Sequence, residues 1–227
     1  MQDHLHALNI TLHVSAGVAA LLLGLWQLAA PKGTSAHRRR GWLLMGLAGA
    51  SVASAALGAL VFRPRPDLLA VSALVSYHLY SGWRSLRLPD GGRRPADWIP
   101  ALLLLTAAVA LRNADGTHWP AAVVRSIGIA MVFVSGYDLI RTAFPRPWRR
   151  ALNPAEHAWH MCAMIGALAS VAAAQQLPVR TAAQSSLGVS IAFSLLATGL
   201  AWRAARKAVG VQPSAALKAR LKTDREL

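Results

Sequence analysis

Histidine is the side chain in this sequence best suited to chemistry, and several histidines fall at one depth on separate segments. Imidazole and thioether groups are the axial ligands of b- and c-type haems, and they also bind copper. The stretch from 156 to 164 offers Glu156, His157, His160, Met161, Cys162 and Met164. On a helix Glu156 and His160 share one face, as do His157, His160, Met161 and Met164. A haem b site would need a second ligand from another segment, and His78 or His37 would reach the same depth. The HxxH spacing equally describes a cluster that orders a helix start, with Glu156 favoured there by the helix dipole. His78 alone equally describes a neutral imidazole bonded to a neighbouring helix.

Other ionisable groups are few, so each can be weighed. Asp138 needs a cation or donors. Arg141 follows at i+3, and Arg84, His37 or His157 would come close, so a structural ion pair is favoured over a proton relay. Arg125 would snorkel outward, or bind an anionic headgroup or substrate. On the other side His13 would pair with Asp115 or His118, and His4 and His6 belong to a solvated terminus. A second metal or haem there would complete an electron path across a bilayer. Phosphate-binding glycine loops, HExxH, GxSxG and desaturase-type histidine boxes are all missing from the sequence. So is the mid-span Pro–Gly break common at transporter substrate sites.

The segments that must position these residues are hydrocarbon-like. The 227 residues are 55% hydrophobic and 15% charged, against about a quarter charged in a soluble domain. Apolar residues gather at roughly 9–30, 41–62, 67–87, 97–112, 119–141, 157–176 and 183–203. Each of these blocks is expected to be long enough to cross about 30 Å of hydrocarbon at about 1.5 Å per residue. The expected fold is all-α: a polytopic membrane helix bundle of about seven transmembrane helices. Residues 1–8 would be an extracytoplasmic N-terminus, 9–205 the transmembrane domain and 206–227 a basic cytoplasmic tail. Within that tail 213–227 would form a surface helix. The first apolar block is too long, and its leader too poor in Lys and Arg, for a cleaved signal peptide.

The net charge of +15 does not indicate nucleic acid, because the charges occupy the short gaps between apolar blocks. Nineteen Lys and Arg fall in the gaps after the first, third and fifth spans and in the tail, against four in the opposite gaps. The positive-inside rule then sets the N-terminus out and the C-terminus in, with anionic lipids attracted to the cytoplasmic face. Trp26, Trp42, Trp83, Trp98, Trp148, Trp159 and Trp202 fall near that face, and only Trp119 marks the other. A single cysteine, Cys162, excludes an internal disulfide. Rows of small residues are expected to bury helix faces: Ala16, Ala20 and Gly24; Gly46, Ala50, Ser54 and Gly58; and Cys162, Gly166, Ser170 and Ala174.

The strings LHVSAGVAALLLGLWQL, KGTSAHRRRGWLLMGLAGAS, YHLYSGWRSLR, GYDLIR and EHAWHMCAMIGALAS occur in that order. Nearly the whole chain resembles a family of uncharacterised bacterial multi-pass membrane proteins, akin to domain-of-unknown-function group 2306. The resemblance implies a helical membrane fold and brings no activity with it. His13, His37, Asp138 and His157 match the family's pattern. His160 stands where that pattern has Arg, and His78 lies outside it. The resemblance therefore favours a structural or shared-substrate role for His37, Asp138 and His157, as one polar cluster. The expectation is an integral protein of the bacterial inner membrane whose activity the sequence does not reveal. Its histidines near the cytoplasmic face would bind b-type haem or a metal, with a quinone or another membrane protein as partner. A small-molecule or lipid carrier and a scaffold or assembly factor are the alternatives.

Overall fold

The computed structural model describes residues 2–88, 95–115, 117–176 and 188–204. All regular structure among them is helical. Seven α-helices follow in order: α1 (Gln2–Ala29), α2 (Ser35–Leu57), α3 (Pro66–Ser85), α4 (Trp98–Arg112), α5 (Ala121–Ile140), α6 (Arg146–Gln176) and α7 (Gly188–Ala204). Four helical segments are long and apolar enough to cross a membrane: Gln2–Ala29, Ser35–Phe62, Ala121–Ala143 and Leu152–Ala174. The others fall short for identifiable reasons. At 15 residues α4 is only about 22 Å long, and α3 carries Asp67, Ser72, Tyr77, His78 and Ser81. The tail, 206–227, lies outside the described residues.

Local chemistry sets the helix ends. Lys32 Nζ bonds the carbonyl oxygens of Gln27 and Leu28 at the end of α1, where carbonyls lack partners within the helix. Burial pushes this ammonium below its ordinary pKa. Gly33, at φ 78°, takes the left-handed conformation that only glycine adopts without strain. Thr34 then caps α2, its hydroxyl accepting from His37 N at 3.0 Å. α2 widens into a π-helical turn at Gly58–Phe62. α3 opens on Pro66, whose missing N–H costs nothing in a first turn. Asp67 beside it is clasped by Arg65 at 2.9 and 2.7 Å. α1 begins at Gln2, so residues expected in a loose terminus extend the first helix instead.

α3 is the central helix. One side packs Ala70, Leu74 and Tyr77 into a core shared with α4 and α5. Its other side packs Val75 and Leu79 against Ala20, Leu44, Ala48, Met164 and Ile165 of α1, α2 and α6. Large apolar side chains instead cover the outside: Leu22, Leu60, Leu103, Ile129, Phe133, Ile140 and Leu195 are all more than 60% exposed. Such continuous apolar exposure is unusual for a protein in water.

Glycine decides where helices touch. A Cβ at Gly24 would lie 2.8 Å from Ile165 of α6, and one at Gly166 would lie 2.5 Å from Phe193 of α7. A Cβ at Gly82 would strike Met161 and lie 3.1 Å from His160 Cβ. The rows on α1 and α6 are packed as expected. The row on α2 is packed only in its second half: Ser54 is buried and a Cβ at Gly58 would lie 3.0 Å from Asn9 Nδ2 of α1, whereas Gly46 is exposed with nothing near it, and the buried stripe is Leu44, Ala48, Ser51 and Ser54. Polar contacts to α1 turn α2 this way, with His13 Nδ1 2.9 Å from Ser51 O and Asn9 Nδ2 donating to Ser54 O at 3.0 Å.

Candidate functional site

The close approach at Gly82 brings polar side chains of α3, α5 and α6 together at the end of the bundle that carries Arg38–Arg40, Arg84 and Arg141, here called the basic end. His78 Nδ1 lies 3.0 Å from His160 Nδ1. Both rings are almost wholly buried, and each has Trp159 at an edge-on angle. One nitrogen must donate and the other accept, since two N–H groups or two lone pairs would repel at that distance. His157 Nδ1 lies 2.8 Å from Gly82 O. A carbonyl only accepts, so this nitrogen carries the proton.

Beside the pair, Asp138 accepts from the Tyr77 hydroxyl and from Ser81 Oγ, the latter at 3.2 Å. The Tyr77 ring meets the His160 ring edge-on, 6.2 Å centre to centre, so the carboxylate site adjoins the imidazole pair. One turn nearer the basic end, Arg141 Nε is ion-paired with Glu156 Oε1. Tyr137 donates to the same oxygen at 2.8 Å. Arg141 Nη2 reaches Asn153 Oδ1 and, at 3.1 Å, the carbonyl of Arg149. Arg141 is fully buried, and its Nη1 meets no acceptor among the described residues.

These positions redraw several expectations. Arg141 turns to Glu156 on the facing helix and not to Asp138 on its own, because i and i+3 side chains diverge when one looks inward to α3 and the other to α6. Arg84 does not join Asp138. It grips Asp97 at 2.6 and 3.0 Å, with Tyr80 donating to the same carboxylate at 2.9 Å. His13 bonds Ser51 of α2, not Asp115 or His118, and His118 is exposed. His37 is half-buried at the start of α2 and is not the partner of His78. Arg125 is exposed on the face of α5 that carries Ile129, Val132 and Phe133. Tyr77, Ser81, Tyr137 and Asn153 were not singled out from sequence. Their one legible signal is position: Tyr77 and Ser81 flank His78 by one and three residues, and Tyr137 adjoins Asp138.

As the rings stand, His78 and His160 do not fit opposite faces of one iron. Trans ligands would place the nitrogens about 4 Å apart at about 2 Å per metal–nitrogen bond. No three described His, Cys, Asp or Glu side chains are grouped to hold a metal ion. The arrangement sets an imidazole–imidazole contact, His78 to His160, beside the phenol–carboxylate contacts of Tyr77 with Asp138 and of Tyr137 with Glu156, and each of these groups can hold a proton.

The opposite end of the same three helices is apolar. Val71, Leu74, Trp119, Ile127, Ala167 and Val171 line a cleft of about 60 Å³. Of its hydroxyls, Ser126 donates to Val123 O of its own helix at 2.8 Å, while Ser170 donates to Gly166 O at 2.7 Å and also lies 2.8 Å from Ser190 Oγ of α7.

No family model, curated protein or solved structure matches the chain.

Proposed function

We propose that this chain is an integral protein of the bacterial inner membrane, akin to the multi-pass family it resembles, whose His78–His160 pair exchanges protons. In this reading all seven helices cross, with the N-terminus outside and the C-terminus in the cytoplasm. Four helices apolar enough to span, the apolar outer surface and the gathering of Lys and Arg on one side support that placement. The basic end then faces the cytoplasm.

The observation that carries the reading is the 3.0 Å contact between two buried ring nitrogens. Ionisable groups at membrane depth are costly and mark proton or ion paths by default. Two facing imidazoles move a proton by exchanging donor and acceptor roles. Tyr77 and Asp138 extend the path on one side. Glu156, one turn before His160, and Tyr137 extend it toward the basic end.

The test is proton flux. Vesicles loaded with a pH-sensitive dye and holding the purified protein are given a potassium diffusion potential. The wild type is expected to admit protons at least tenfold faster than His78→Gln or His160→Gln. Rates no higher than in protein-free vesicles would end the reading and leave a scaffold role. A Soret band from the purified protein would put haem ligation, with the two rings drawn apart, in its place.

A further inference from the structure

At the cytoplasmic end of this placement, on which the inference rests, a cationic patch lies apart from the histidine site. Trp42 of α2 is more than half exposed. The guanidinium carbon of Arg87, just beyond α3, lies 5.7 Å from its ring centre and 4.8 Å from that of Trp83. Both rings lie within cation–π reach of the guanidinium. Stacked arginines keep their donors free in this way.

Arg38 and Arg39 stand four and three residues before Trp42, hence on the same side of α2. Both are exposed. Among the described residues no carboxylate pairs with Arg38, Arg39 or Arg87, because Asp97 is held by Arg84. Trp83 Nε1 is buried and likewise has no acceptor among them. The first turn of α2 adds the positive end of its dipole. Arg87 against Trp42, with Arg38 and Arg39 on the same side of α2, thus forms an exposed cationic patch with no carboxylate paired to it among the described residues.

We propose that this patch binds the phosphate of an anionic lipid headgroup in the cytoplasmic leaflet. The chemistry is bidentate guanidinium–phosphate bonding. Exposed Trp42 beside the patch would lie along the lipid's glycerol and upper chain, the depth that indoles favour. A free phosphate would offer the same oxygens and no chain for Trp42 to meet.

Native mass spectrometry of the full chain in detergent tests this. With phosphatidylglycerol or phosphatidylcholine added in turn, the protein should retain one phosphatidylglycerol about tenfold more tightly than phosphatidylcholine. Arg87→Gln should abolish that preference, and Arg38→Gln with Arg39→Gln should weaken it severalfold. The paired Arg38 and Arg39 variant changes only exposed side chains, so it keeps the test open if Arg87→Gln folds poorly. Arg125→Gln, which removes a charge elsewhere, should leave the preference intact. Equal retention of both lipids, displacement by millimolar inorganic phosphate, or an equal loss in Arg125→Gln would each overturn the assignment. A chain that stays soluble without detergent would instead fail the membrane placement itself.

Discussion

α3, α5 and α6 meet differently at their two ends. At the basic end α5 and α6 are joined by long polar side chains, Arg141 and Tyr137 reaching Glu156 and Asn153. At the opposite end the same helices leave an apolar cleft whose hydroxyls make no bond between α5 and α6 among the described residues: Ser126 turns back on α5, and Ser170 bonds its own helix and Ser190 of α7. The comparison teaches where specificity lies. Apolar side chains gain little from one another when the alternative is lipid, so close packing and polar contacts must choose the helix partners. The basic end has both, and the opposite end has neither between α5 and α6.

The largest effect should come from splitting the buried ion pair. Arg141→Ala leaves Glu156 buried without its guanidinium, a loss of about 3–5 kcal/mol. It should appear as a large fall in the thermal midpoint of the detergent-solubilised protein. Arg141→Met combined with Glu156→Leu should recover most of that loss, since the double change leaves no lone charge. A double variant as unstable as the single one would show that the pair is not the contact that matters.

A middle-sized effect is expected at the helix approach. Gly82→Val drives a branched side chain into Met161 and His160 and should cost about 1–3 kcal/mol by overpacking. It should also part His78 from His160 and slow proton flux. Gly46→Val, on an open face, is the matched control and should change the midpoint little. Similar losses at both glycines would remove the argument for close contact at Gly82.

The smallest effect should be in the cleft. Ala167→Val adds two methyl groups where space exists and should shift stability by less than about 1 kcal/mol, in either direction. A loss as large as that of Gly82→Val would mean that the two ends are equally packed, and the comparison would fail.

The apolar blocks already announce an all-helical chain, because a run of hydrocarbon side chains long enough for a bilayer must satisfy its backbone internally. The paired character of the buried charges is also legible, since isolated ones are too costly. Which charges pair is not legible. Glu156 and Arg141 are fifteen residues apart, and Arg84 and Asp97 thirteen; sequence offers the nearer Asp138 to Arg141. Choosing correctly requires the rotation of α5 about its axis. That rotation is fixed by Met131 and Val134 packing against α3 and α4.

Sequence alone thus determines the helices, their apolar character and the gathering of positive charge in the short gaps between apolar blocks, because these follow from composition along the chain. Only the tertiary structure decides that His78 faces His160, that Asp138 takes Tyr77 and Ser81, and that Arg87 lies between two tryptophans. These contacts depend on the angle at which each helix is turned and on where a missing side chain, as at Gly82, lets two backbones come close. No local pattern encodes either quantity, since both are settled by the packing of all the neighbours at once.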